Sequence, residues 1–223
     1  MRIVIAGGHG QIARRLERLL AERGDRPVGL IRNPDHAADL EEIGAEPVVC
    51  DLEHAGLAEV AEHLRGATAA VFAAGAGPGS GVERKETVDR AAAVLFADAA
   101  ELAGVRRMIV VSSMGTDREP PADTEPVFAA YLRAKAAADA EIRSRAGLDW
   151  TILRPGRLTD DPGTGRVHLA AHTGRSAITR DDVATVLLGL LDEPRTAGLT
   201  LELVNGDVPV VEAIRSLTGT SAS

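Results

Sequence analysis

Six short apolar runs, several rich in β-branched residues, punctuate residues 1–156: 2–7, 26–32, 45–52, 69–75, 106–113 and 149–156. The first five are each followed by a stretch whose apolar positions recur at helical spacing. "RIVIAG" is followed by "GQIARRLERLLAERG", where Ile12, Leu16, Leu19 and Leu20 share one face and a glycine ends the run. Runs that are continuously apolar predict strands buried on both faces, and strand–helix alternation predicts a parallel sheet with helices on each side. We therefore expect an α/β fold, a doubly wound sheet of about seven parallel strands. Ligands of such sheets bind beyond the carboxyl ends of the strands.

Beyond residue 156 the pattern thins. Residues 159–166 read as a turn-rich loop, 178–193 as a helix, 199–204 as a strand, 210–217 as a short helix and 218–223 as a frayed tail. With 223 residues, 45% of them hydrophobic, the chain suits one domain. A single cysteine, Cys50, excludes an internal disulfide and suits a reducing, cytoplasmic setting. No run approaches the ~20 apolar residues of a membrane span. The net charge of −8 without a clustered basic face argues against a nucleic-acid partner, and 2% aromatics leave little for base stacking.

The turn after the first strand is "IAGGHGQIA". Gly7, Gly10 and Ala13 are spaced G-x-x-G-x-x-A, with an extra glycine at Gly8. A tight turn, a close approach of backbone to pyrophosphate and a small residue where helix meets strand need those residue types. The helix start then offers free N–H groups to a phosphate. At the end of the second strand, where an acidic residue would bind a ribose 2′-hydroxyl, the chain has Arg32. A guanidinium there suits a 2′-phosphate; the alternative is a solvated strand-end arginine. "YLRAK" places Tyr131 and Lys135 four apart on one helix face. The helix is framed by Pro126 and Gly147. Weaker signals are His168 with His172, too few ligands for a metal site; Asp160–Asp161 before Pro162-Gly163, which reads as a turn; and Asp89, which reads as a solvated charge. No metal is expected.

These motifs, with "IRNP" (31–34), "CDL" (50–52), "AAG" (73–75), "VSSMG" (111–115), "LRPG" (153–156) and "ITRDDVA" (178–184), give the chain its likeness to known proteins. It resembles the short-chain dehydrogenase/reductase superfamily, and more narrowly the atypical NAD(P)H-binding group that includes NmrA-like and flavin- and biliverdin-reductase-like proteins. The resemblance implies a single Rossmann-type domain over 1–223, with 156–217 as a small substrate-side region. It implies cofactor contacts from Gly7, Gly8, His9, Gly10, Gln11, Ile12, Asp51, Leu52, Ala73, Ala74, Gly75, Ser112, Lys135 and Pro155, joined by Arg32. Tyr131 and Lys135 would be catalytic, with Ser113 standing in for a serine whose usual slot holds Met114. The expected cofactor is NADP(H), with NAD(H) possible. The expected partner is a small-molecule substrate, in a monomer or homodimer. The implied function is an oxidoreductase or epimerase-like enzyme; the alternative is an NADP(H)-sensing regulatory protein of the NmrA-like kind that does not turn over substrate.

Overall fold

The computed structural model describes residues 1–77 and 79–218; residues 219–223 of the expected tail lie outside the described residues. Strand β1 (Arg2–Ala6) leads into α1 (Gln11–Glu22), then β2 (Arg26–Ile31), α2 (Ala37–Glu42), β3 (Glu46–Val49), α3 (Leu57–Leu64) and β4 (Ala69–Phe72). One long helical stretch follows: α4 (Val82–Arg84), a π-helical segment (Lys85–Ala91) and α5 (Ala92–Leu102). Then come β5 (Arg107–Val111), α6 (Pro126–Arg143), β6 (Asp149–Pro155), β7 (Arg157–Thr159), β8 (Arg166–Ala170), β9 (Ala177–Thr179), α7 (Arg180–Leu191), β10 (Leu199–Asn205), β11 (Val208–Pro209) and α8 (Val210–Thr218).

The main sheet runs β11-β8-β10-β6-β5-β4-β1-β2-β3. Seven of these strands, β3 through β10 in that order, are mutually parallel. Strand β8 joins β10 antiparallel, and β11 joins β8 antiparallel. The sequence reading left β8 unassigned. Its burial alternates strictly, exposed at Arg166 and His168 and buried at Val167 and Leu169, so it carries a one-face pattern in place of the continuous apolar run of the inner strands. Strands β7 and β9 form a separate parallel pair; the sequence reads 178–179 of β9 into the following helix and 159 of β7 into a loop, because three-residue strands carry no periodicity to detect.

The two faces of the sheet bury two cores. Ile3 and Ile5 of β1 pack with Leu16 and Leu20 of α1 and with Val183 and Leu187 of α7. Their neighbours Val4 and Ala6 point the other way, to Phe96 of α5, Val60 of α3 and Ile142 of α6. That is the two-residue alternation of a strand read out on both faces. The chain places β2 and β3 on one side of β1, then returns to put β4 on the other. The order therefore reverses between β1 and β4, and the loops there diverge to leave a crevice.

One core group breaks the apolar pattern. Glu17 of α1 is fully buried and neither carboxylate oxygen has a hydrogen-bond partner. Burial pushes its pKa from the ordinary 4.5 up to about 8, with Arg14 pulling weakly the other way. Between those values the folded state holds a proton that the unfolded chain has released, so stability falls as pH rises through that window and levels off above it. Glu17→Met removes the dependence. Its stability gain over the parent should grow by about 4 kcal/mol from pH 5 to pH 9, read from denaturant midpoints at the two pH values.

Candidate active site

At the crevice, the β1–α1 turn packs backbone on backbone. Gly7 has φ +78°, and a Cβ on it would lie 2.7 Å from the Cα of Ala74. A Cβ on Gly8 would lie 2.6 Å from the Cα of Gly29 in β2. Gly8 therefore sits under the turn and lines neither cavity, whereas Gly7, His9 and Gly10 do. Gly10 stands in the N-cap position of α1 with no side chain capping the helix, and no acidic residue sits in the first turn. The first amides of a 12-residue helix thus open on the crevice, an arrangement suited to an anion.

Two cavities meet there, sharing Gly10, Ala73, Ala74 and Gly75. The first, about 360 Å³, is walled by Arg32, Asn33, His36, Asp51, Leu52, Glu53 and Arg84. Asp51 is held by its own turn: one oxygen accepts from the Glu53 N–H at 3.1 Å and the other pairs with His54 Nδ1 at 3.0 Å. Arg32 is half exposed, its Nη1 3.3 Å from Glu53. Glu53 is shared with Arg84 Nη2 at 2.6 Å and Thr87 at 2.7 Å, and the Arg84 contact holds its carboxyl below the usual range. His9 turns from the turn toward α2, its Nε2 2.7 Å from Asp39 and its ring stacked on His36.

The second cavity, about 500 Å³, is walled by Gln11, Ile12, Lys85, Asp89, Ser112, Glu125, Phe128, Tyr131, Lys135 and Arg180, among others. Helix α6 delivers Tyr131 and Lys135 together. Glu125 caps it, accepting from the Val127 and Phe128 amides at 3.0 and 2.8 Å, and Pro126 occupies its first turn. Lys135 is buried. Its Nζ donates to the carbonyl of Val111 at 3.2 Å and lies 3.4 Å from Asp89. Its distance to the Tyr131 ring centroid is 6.0 Å. The Tyr131 ring stacks on Phe128 with centroids 5.9 Å apart.

Asp89 corrects the sequence reading. It is fully buried, not solvated; its Oδ2 accepts from the Ala76 amide at 3.3 Å and its Oδ1 faces Lys135. An aspartate on a helix is normally exposed unless paired, and the pair here spans two distant helices. The serines also sort by placement. Ser112 lines the cavity, buried, with a hydroxyl that has no protein partner. Ser113 lines neither cavity, and its hydroxyl is 3.3 Å from the carbonyl of Met114. Pro155 ends β6 away from both cavity walls, its carbonyl accepting from the Met114 amide at 3.3 Å.

Asp160 binds Arg180 Nη1 at 2.9 Å and Arg15 Nη2 at 3.5 Å, while His168 and His172 lie on and just beyond β8, outside both cavities. Ligand atoms of Cys50, Glu59 and His63 come within 4.8 Å of one another, and burial, with Glu59 and Asp51, pushes the Cys50 thiol up to about 11.

A family model described as NAD(P)H-binding matches residues 7–194, which spans both cavities. The chain belongs to the NAD(P)H-binding family. Its architecture and neighbours are those of an atypical short-chain dehydrogenase/reductase. Among curated relatives of this NAD(P)H-binding protein is an uncharacterized sugar epimerase of Bacillus subtilis (strain 168), 35% identical over 97% of this chain and 100% of that one. Among solved structures, a Bacillus halodurans protein provisionally named an NAD-dependent epimerase/dehydratase superposes with a TM-score of 0.88 at 36% identity, covering 97% of this chain and 99% of that one. An oxidoreductase from Lactococcus lactis gives 0.85 at 26% identity over 100% and 99%. Among the described residues, no helix is long and apolar enough to cross a membrane.

The Lys135–Asp89 pair gives the site a stability signature. Removing one member leaves the other charge buried and uncompensated, at a cost of ~3–5 kcal/mol, whereas replacing both restores much of the loss. Lys135→Met should therefore lower the denaturant midpoint more than Lys135→Met combined with Asp89→Leu. A loss in the double variant equal to the sum of the losses in Lys135→Met and Asp89→Leu would show that the two charges do not interact.

Proposed function

We propose that this protein is an NADP(H)-dependent oxidoreductase or epimerase-like enzyme acting on a small carbonyl or hydroxyl compound. The observation that carries the reading is the meeting of the two cavities at Gly10 and Ala73–Gly75, with the uncapped start of α1 between them. One side offers Arg32 to a ribose 2′-substituent. The other offers Tyr131, Ser112 and Lys135 to the reacting end. The glycines let the turn pack directly on the main chain of Ala74 and Gly29, and the bare helix start that follows suits a pyrophosphate. When bound, the nicotinamide supplies or accepts a hydride at the substrate carbon.

The chain's own residues handle the proton. In the reductive direction Tyr131 gives its phenolic proton to the carbonyl oxygen, and the hydroxyl of Ser112 donates a hydrogen bond to the same oxygen. This assigns the serine role to Ser112, which lines the cavity with its hydroxyl unpaired, in place of Ser113. Lys135, fixed by Asp89 and the Val111 carbonyl, holds positive charge beneath the phenol and near the ribose. Names that include epimerase and oxidoreductase among the relatives support redox chemistry over a purely sensing role.

Two measurements test this. In calorimetric titrations NADPH should bind roughly 10- to 150-fold more tightly than NADH, and Arg32→Ala should abolish the difference; equal affinities in the parent would remove the 2′-phosphate assignment. Protein-bound NADPH should be oxidised by some member of a panel of carbonyl compounds, quinones and flavins. Turnover of that compound should fall by ~10²–10⁴ in Tyr131→Phe while NADPH affinity holds. Unchanged turnover in Tyr131→Phe would mean that the proton comes from elsewhere.

A further inference from the structure

The proposed chemistry does not use Lys85. It opens the π-helical segment, is 7% exposed, and lines the second cavity. Its Nζ donates to the carbonyl of Gly77 at 3.0 Å and stands 5.5 Å from the centroid of the Tyr131 ring, slightly nearer than Lys135. An ammonium has three N–H donors, and the Gly77 carbonyl accounts for one. Among the described residues no carboxylate comes within 4 Å of it, and every other charge on the cavity wall is engaged elsewhere. Asp89 faces Lys135, both oxygens of Glu125 cap α6, and Arg180 is bound to Asp160. A buried ammonium with a single neutral acceptor is poorly compensated unless an anion joins it.

We propose that Lys85 is a specificity-determining residue that binds a carboxylate of the substrate, beside the oxygen that Tyr131 protonates. The proposal rests on the reading of the second cavity as the substrate site. One ammonium with two donors to spare matches the two oxygens of a carboxylate, whereas a phosphate dianion would call for further unpaired cations. Besides Gln11, Ser112 and these charged groups, the wall carries the apolar side chains of Ile12, Val111, Val127, Phe128 and Leu158, and Phe128 presents a half-exposed ring stacked on Tyr131. The cavity thus fits a carboxylate-bearing carbonyl compound with a flat or branched apolar body. A 2-oxo acid with an aromatic side group is the simplest example.

The test uses the full chain saturated with NADP⁺, so that no turnover occurs, and two probes that differ in charge, phenylglyoxylate and its methyl ester. Calorimetry or ligand-detected NMR should show the acid binding roughly 10-fold or more tightly than the ester. Lys85→Met should bring the two to parity by weakening the acid alone, and Lys85→Arg should keep much of the preference. Equal affinities in the parent, or no measurable binding of the acid at millimolar concentration, would overturn the proposal. So would a preference that survives Lys85→Met, or one that is lost in Arg180→Gln instead. If Lys85→Met weakens acid and ester equally, Lys85 merely holds the Gly75–Gly77 segment, and the subsite is refuted. Tyr131→Phe separates this from the proposed function: an acid preference that persists there supports the subsite, whatever the variant does to turnover.

Discussion

Where β1 becomes α1, two stretches of backbone meet with no side chain between them. Gly7 lies against Ala74, and Gly8 lies against Gly29. Any Cβ at either position would collide with main chain, which cannot move aside as a side-chain tip can. Because the turn is this tight, α1 begins close over the strand ends, with its free amides at the point where the sheet reverses order. The first cavity opens toward β2 and β3, the second toward β5 and α6. Both depend on this contact, since they share Gly10 and the Ala73–Gly75 strand end that the turn leans on.

Helix α6 carries Tyr131 and Lys135 to the second cavity, and buried charges hold it in place. Lys135 reaches Asp89 and the β5 carbonyl at Val111. A turn further on, Asp139 accepts from Arg154 Nε and Nη2 of β6 at 3.0 and 2.8 Å. Arg154 also pairs with Asp117, and Thr116 lies 3.3 Å from the Asp139 carboxylate, so the loop after β5 is tied to the same node. Such pairs contribute little net stability but penalise any other arrangement, because displacement leaves a bare charge in the interior.

The two cavities differ in how their charges are arranged. In the first, Glu53 is surrounded by Arg32, Arg84 and Thr87, so this wall is a mixed cluster with Arg32 at its exposed edge. In the second, the acids are occupied by Lys135 and by the α6 amides, which leaves Lys85 as an ammonium held by a carbonyl. The glycine turn between the two cavities lies within residues 7–194, the stretch that the NAD(P)H-binding family model matches.

Local pattern was enough to place the inner sheet. Continuous apolar runs specified β1 to β6, the glycine spacing specified the turn, and Pro126 with the i, i+4 pair put Tyr131 and Lys135 on one helix face. These are properties of neighbouring residues, and a sequence displays them directly. Sequence reasoning missed what depends on distant partners. Asp89 reads as solvated until Lys135 is brought to it, Ser112 and Ser113 cannot be told apart until the strand end aims one at the cavity, and Lys85 is one of many lysine and arginine side chains until the π-helical segment buries it. Burial of a charge is decided by what the fold places opposite it, and only the tertiary structure supplies the opposite side.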